Sequence, residues 1–535
     1  MECIQQSSKP SNLQMDIYIY LQNHIRMRQT RVAIVTIILF ALPFFVCAQR
    51  IHYSDPGRDD YRQVNFEIIG KVGSNIAVYK NYRSKNDLSI FDGEMKLKDK
   101  IDLDFLPDKL INVDFVPYPD FFYMIYQYQK RNIVYCNVVK IDGNGQKMLG
   151  PVEIDTTQIG GSSDDKIYST IYSENKQRIM VFKINKRNEK NYFFTTLLYN
   201  DKMEFQKKTR LPVTMQQRDA VFSDFIVDND GDFVFAKCGR NGSRDNISHI
   251  DLMIKPATSD SFIVNNIPLT TNFLDEVKIK ADNINKNILV SSLYFKQKRG
   301  NVEGLYIAVW NKLANKINAE SYNIFSEELK ENAKSENTSA KTAFNDYFIR
   351  QIMPKKDGGF IVVSELYFTT SRGNNWNRYD YLYSPYGYSP YSVYNNYWSP
   401  YGYGSPYNRW NNYGNSTRYY SENIAVFSFD PEASIQWSNV LHKSQFDDNT
   451  DNTLSYMVYN TGGEISFLYN QQERRVKLLS QQSVTPDGNI DRAPTLKNLD
   501  KDYEFLPKYG KQVGARQVVM PCMYRNYICF AKIDF

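Results

Sequence analysis

An all-β chain closed into a single β-propeller is what this sequence predicts, on three observations. One local pattern recurs eight times in the same register: an apolar strand end, a polar turn with Gly, Asn, Asp or Pro, then four or five mostly apolar residues. A second element, strand, Asp-containing tight turn, strand, follows copies of the first. The spacing between copies is nearly constant once two insertions are set aside.

The copies are IIGKVGSNIAVYKN (Ile68–Asn81), VDFVPYPDFFYMIY (Val113–Tyr126), IYSENKQRIMVFKI (Ile171–Ile184), FIVDNDGDFVFAKC (Phe225–Cys238), KADNINKNILVSSL (Lys280–Leu293), IMPKKDGGFIVVSE (Ile352–Glu365), MVYNTGGEISFLYN (Met457–Asn470) and GKQVGARQVVMPCM (Gly510–Met523). Taking the first apolar residue after each turn as a marker gives Ile76, Phe122, Ile179, Phe233, Ile288, Phe360, Ile465 and Val518, spaced by 46, 57, 54, 55, 72, 105 and 53 residues. The interval of 72 holds FSEELKENAK (Phe325–Lys334), where Ser326 can cap a short helix with Glu327 and Glu328 in its first turn. The interval of 105 holds a low-complexity insert, without which it returns to about 55, like its neighbours.

The second element is seen in Leu88–Leu103, Asn137–Ile154 and Ala425–Leu441, and reads as the outer hairpin of a four-stranded blade. One hairpin cannot bury its apolar face alone, whereas blades stacked around an axis bury both faces of each sheet. Eight copies favour eight blades. The last copy ends at Phe535 after its second or third strand, so the simplest closure pairs an N-terminal strand from Gln49–Ile69 with that blade. If the first and last copies share a blade, the count is seven.

The N-terminal 48 residues read as a segment to be removed. Arg26, Arg28 and Arg31 precede a 15-residue apolar run, Val32–Val46, and Val46 and Ala48 stand where a signal peptide needs small residues. The run is shorter than the roughly 20 residues of a spanning helix, and Pro43 interrupts it. The expected start is Met27, with cleavage before Gln49 rather than lipidation of Cys47, giving an exported mature chain over 49–535 with no membrane span. Removing four cations (Lys9, Arg26, Arg28, Arg31) and two acids (Glu2, Asp16) from totals of 65 and 59 leaves 61 and 57, a net charge of +4. So balanced a surface gives no reason to expect nucleic acid.

Four cysteines remain in 49–535, too few for a disulfide scaffold. A turn at Arg525-Asn526 would set Cys522 opposite Cys529 on a hydrogen-bonded strand pair, where side chains diverge; two buried thiols are the reading, with a disulfide as the alternative.

The insert, 371–420, holds 14 of the chain's 41 tyrosines and three of its five tryptophans, with Ser-Pro-Tyr at Ser384, Ser389, Ser399 and Ser405. By position it joins the second and third strands of one blade. Its aliphatic content is too low for a core and its aromatic content too high for ordinary disorder. Tyr386, Tyr388, Trp398, Tyr401 and Trp410 are the candidate binding residues, since Tyr and Trp give amphipathic contact area at small entropic cost. Stacking on sugar faces is a second use for them, and a drifting loop of no consequence a third.

No catalytic or metal site is expected, and no cofactor. Asp228-Asn229-Asp230-Gly231-Asp232 looks like a calcium loop, but an EF-hand needs Gly at position six and Glu at twelve; here Gly231 is fourth and Gly239 twelfth, so a structural turn is the better reading. His52, His249 and His442 lack ligand spacing, and no HExxH, GxSxG, P-loop or dinucleotide fingerprint occurs.

The signal peptide, the repeated turn-strand units and the Asp-bearing outer hairpins together resemble those of exported bacterial β-propeller proteins of an uncharacterised family. The resemblance covers the mature chain and supplies no site motif. From the export signal, the ring and the insert we expect a non-enzymatic binding or scaffold module of the bacterial envelope, in the periplasm, at the outer membrane or on the cell surface, docking a protein partner through propeller loops and the aromatic insert. The alternative is a polysaccharide-active enzyme or a glycan-binding surface protein using the ring axis or the insert.

Overall fold

The computed structural model describes residues 50–58, 64–82, 85–161, 166–186, 190–215, 220–242, 244–269, 271–336, 338–371, 376–383, 417–448, 450–473, 476–493 and 503–535. The expected signal segment lies outside these residues. The described strands form eight separate antiparallel sheets, so the propeller has eight blades. Blades 1 to 7 follow one another along the chain, at 64–102, 110–158, 168–214, 221–267, 273–324, 347–448 and 456–492. Within each, strands are ordered as they occur in sequence, from the innermost outward.

Blade 8 is composite. Its inner strands come from Tyr503–Phe505 and Lys511–Gly514, followed by Gln517–Tyr524 and Tyr527–Asp534, and its outer strand is Arg50–Tyr53. Ser54 N donates to Phe530 O at 2.8 Å and Phe530 N donates to Ser54 Oγ at 2.9 Å, so the two ends of the described chain are held together. The first and last copies of the repeat therefore belong to different blades, and the count of seven is excluded.

Each copy of the repeat forms the two inner strands of a blade, and its turn lies on one face of the ring, with the third-to-fourth strand turns. The second-to-third strand loops and the connections between blades lie on the other. These are called here the turn face and the loop face. The recurring aspartate has a physical role on the turn face. In Asp92–Lys96, Asp142–Gln146 and Asp228–Asp232 the first residue's Oδ1 accepts the backbone N–H groups two and four residues on, at 2.8–3.0 Å. Asn200 does the same for Lys202 and Glu204. The fourth residue of each turn is left-handed: Met95 (φ 63°), Gly145 (79°), Met203 (59°) and Gly231 (93°). The side-chain cap offsets the backbone cost, about 1–2 kcal/mol for a residue other than glycine.

The core lies between blades rather than in one centre. Blades 1 and 2 share a cluster containing Tyr79, Leu88, Val113, Phe122 and Met124. Between blades 3 and 4 the rings of Phe182, Phe194, Phe222, Phe225, Phe233 and Phe235 pack together, Phe194 stacking on Phe235 at 4.9 Å. Burying both sheet faces explains runs such as Leu110–Pro117, whose eight residues are all buried. Cys522 and Cys529 are directly opposed, buried and free, with Sγ atoms 2.8 Å apart.

The helix α1, Glu327–Ala333, occupies the connection between blades 5 and 6. Ser326 Oγ accepts from Leu329 N at 3.1 Å, with Glu327 and Glu328 in the first turn, as the sequence predicts. A second helix, α2 (Arg378–Tyr383), follows the second strand of blade 6, Phe360–Ser371. The third strand, Thr417–Phe429, resumes the sheet. Among the described residues no helix is long and apolar enough to cross a membrane.

Candidate functional site

The loop face carries a cleft of about 410 Å³ where blades 4, 5 and 6 meet, lined by Arg244, Phe295, Arg299, Gly300, Asn345, Asp346 and the segment 376–379. Apart from Phe295, which ends the second strand of blade 5, each contributor is an excursion from the repeat. Arg244 lies in the second-to-third strand loop of blade 4, and Arg299 and Gly300 in that of blade 5. Asn345 and Asp346 end the connection that carries α1, and Trp376–Tyr379 open α2. Gly304, at the end of the blade 5 loop, permits that loop to leave the sheet: a Cβ there would meet Asn323 O at 1.9 Å.

Five residues of the insert fix its base to the ring. Arg378 Nε donates to Asp275 Oδ2 at 2.8 Å, its Nη2 donates to the same oxygen at 2.5 Å, and its Nη1 donates to Asn345 O at 3.2 Å. Arg378 is 8% exposed and Asp275 wholly buried. Burial opposes the guanidinium's charge, but Asp275, Glu276 and Asp346 outweigh it and hold Arg378 above its ordinary range. Trp376 Nε1 donates to Asp346 Oδ1 at 2.8 Å, and Asn246 Nδ2 donates to Tyr379 Oη at 2.7 Å. Leu382 is fully buried against Phe348 and Tyr367. The Arg378 guanidinium lies 3.9 Å from the Phe348 ring centre, and Tyr381 packs on the same ring at 4.9 Å. Burial raises the Asp346 carboxyl against the lowering pull of Trp376 and Arg378.

Beneath α2 lies a buried charge network. Glu365, wholly buried on the second strand of blade 6, accepts from Lys443 Nζ at 2.9 Å, Ser421 Oγ at 2.5 Å, Ser455 Oγ at 2.8 Å and Arg350 Nε at 3.1 Å. Burial opposes its charge, yet Lys443 and Arg350 bring its pKa below the ordinary glutamate value. Arg350, on the first strand of blade 6, also donates to the Tyr381 hydroxyl oxygen of α2.

The innermost strands elsewhere carry paired charges. Lys166 bonds Asp114 at 2.9 Å, both buried, and Lys278 pairs with Asp224 at 3.3 Å. Burial pushes Glu67 up to about 8, with Asp114 adding to the rise and Lys511 and Lys166 opposing it.

On the turn face, the Asp228–Asp232 loop has a cation of the chain's own. Lys312, from the outer turn of blade 5, reaches Asp228, lies 3.0 Å from Asp230 and 2.9 Å from Asp232, and Lys286 pairs with Asp230 at 2.8 Å. Burial opposes its charge, but the Asp228 and Asp232 carboxylates outweigh that and raise Lys312 well above its ordinary range. An ammonium thus stands among the carboxylates that made the loop look like a calcium site.

Among solved structures, this chain is similar to prolyl oligopeptidase B from Galerina marginata at 8% identity, over 89% of this chain and 56% of that one, with a TM-score of 0.39. It is similar to the Nup133 β-propeller domain from Vanderwaltozyma polyspora at 9% identity, over 79% and 100% of the two chains, with a TM-score of 0.34. A third similar structure is the dihydro-heme d1 dehydrogenase NirN, at 10% identity over 88% and 72%, TM-score 0.31. The chain spans a little over half the length of the prolyl peptidases it matches. No family model matches the sequence. No curated protein matches it either. Likenesses this distant bring no activity and no site residue to this chain. The propeller fold itself supports a binding or scaffold role in general.

Of the residues singled out in the sequence, Tyr386, Tyr388, Trp398, Tyr401 and Trp410 lie outside the described residues. The same insert supplies Trp376, Arg378 and Tyr379 to the cleft, none of which the repeat pattern could single out. Arg299 had a visible signal: FKQKRG (Phe295–Gly300) places three cations and no acid in one turn.

Proposed function

We propose that this chain is a non-enzymatic binding or scaffold module that docks a protein partner on its loop face, around the cleft and the aromatic insert rooted there. The observation that carries the reading is the buried pairing of Arg378 with Asp275, because it gives the insert a rigid base at a concave surface. A preformed base reduces the ordering cost of any contact made from it. On this reading Tyr386, Tyr388, Trp398, Tyr401 and Trp410 extend the docking surface, and the chain works after export, in the periplasm or at the outer membrane of a bacterial envelope. Among the described residues the cleft lining offers one carboxylate, Asp346, whereas glycoside hydrolysis uses a pair, which favours binding over hydrolysis.

The test is site-directed photo-crosslinking in native envelopes, with the crosslinker at Gln297 on the loop face or at Lys202 on the turn face. One protein adduct formed from Gln297 and not from Lys202 supports the reading, as does its loss on deleting residues 384–416. No adduct at Gln297, or equal adducts from both faces, overturns it.

A further inference from the structure

The cleft's chemistry narrows what it can hold, taking as given that the loop face is the docking face. One exposed charge on its wall is Arg299, whose side chain is 67% exposed. One nitrogen, Nη2, donates to Asp245 Oδ1 at 2.8 Å. Among the described residues its Nε and Nη1 have no partner, so a planar set of N–H donors faces the opening. Asp245 is itself only 17% exposed, so the pair presents its cationic side outward.

The backbone beneath Arg299 is also informative. Gly300 N donates to Gln297 O at 3.0 Å, closing a four-residue turn with Arg299 at its third position, φ 56°. That position favours glycine or asparagine, and an arginine there carries backbone strain. Arg299 N donates to Asn246 Oδ1 at 2.8 Å, and Asn246 also bonds Tyr379 of the insert. The strained turn is therefore tied to the insert's base, and its arginine is held at a fixed place on the cleft wall. Lys298 lies in the same turn, and Lys296 precedes it with its ammonium 3.6 Å from Glu303. Arg244 lines the opposite loop, and Phe295, Trp376 and Tyr379 supply apolar wall. The cleft is of a size that accepts a few residues of extended chain.

We propose that this cleft binds an acidic peptide segment of the partner, with the Arg299 guanidinium receiving a side-chain carboxylate and Lys296, Lys298 and Arg244 drawing in its neighbours. Recognition is then charge-assisted and selective for Asp or Glu runs over neutral sequence. Exposure of Arg299 means that substituting it leaves the fold intact, which thermal melts of each variant check directly.

The experiment is fluorescence anisotropy of a labelled octaglutamate peptide titrated with the whole protein at several salt concentrations. Binding that weakens with salt, falls roughly 10- to 100-fold in Arg299→Glu and less in Arg299→Lys, and is unchanged in Lys202→Glu supports the proposal. No binding, or binding indifferent to Arg299→Glu, overturns it. Tighter binding of a galacturonate oligomer than of the peptide also overturns it, by replacing the peptide with an acidic glycan. If the Gln297 crosslinked partner forms equally well in Arg299→Glu, the docking reading stands and this inference falls.

Discussion

The two faces of this ring solve one problem in opposite ways. On the turn face, Asp228, Asp230 and Asp232 crowd together, and the cation that holds them is Lys312, carried on the turn of the adjacent blade. On the loop face, Asp275 is buried, and its cation is Arg378, carried on an insertion 103 residues away in sequence. The first arrangement needs no chain beyond the repeat. The second needs a segment that the repeat does not contain. A face built only from repeat turns pairs these carboxylates within the repeat, whereas a face built from excursions forms a concavity with Arg299 on its wall. The difference between the faces lies in how each charge is neutralised, not in how many charges there are.

The sharpest way to break the comparison is Arg378→Ala. Removing the guanidinium leaves Asp275 buried and uncompensated, which costs about 3–5 kcal/mol when a buried pair is broken. Urea unfolding is expected to show that loss, with Asp275→Asn in the same chain restoring part of it. A loss below about 1 kcal/mol would mean that the insert's base is not anchored as described.

A smaller effect is expected on the turn face from Lys312→Met. Three facing carboxylates lose their ammonium at a site that water partly reaches, so about 2–3 kcal/mol is expected, below the fully buried case. Here the comparison sharpens, because millimolar calcium should raise the melting temperature of Lys312→Met and leave the parent chain unchanged. Equal response of both chains to calcium would show that the lysine does not fill the cation position.

The smallest effect belongs to Ser326→Ala, which removes the cap of α1 on the loop face. About 1 kcal/mol is expected by thermal melt. A larger loss would mean that the connection carrying Asn345 and Asp346 depends on that helix for its course, which would tie the cleft wall to it.

Much of the ring was legible because its signals are local. An apolar strand end, a turn and an apolar strand lie within 14 residues, and the Asx cap of Asp92 or Asp142 acts on amides two and four residues away. Ser326 could be assigned as a cap for the same reason. The closing strand was legible in kind, since an incomplete last blade requires a donor. The cleft was not, because Trp376 meets Asp346, Arg378 meets Asp275 and Asn246 meets Tyr379 over separations that no periodicity encodes. Lys312 escaped notice similarly: its partners sit in the preceding blade. The insert reads as an excursion in composition, yet Leu382 is buried, so a deletion over Arg372–Arg418 would take an anchor along with the loop.

The outer strand of blade 8 has a consequence in time. Arg50–Tyr53 is made before any blade, and Tyr527–Asp534, which receives it, comes last. Ser54 and Phe530 are 476 residues apart, so the clasp between them is among the least local contacts this chain can make. Until it forms, the molecule is an open arc with an unpaired strand edge at each end, the exposed geometry that invites pairing with another chain. Closure hides both edges in one step. A chain lacking either strand stays an arc, with the other strand's N–H and C=O groups left open to water or to a second molecule.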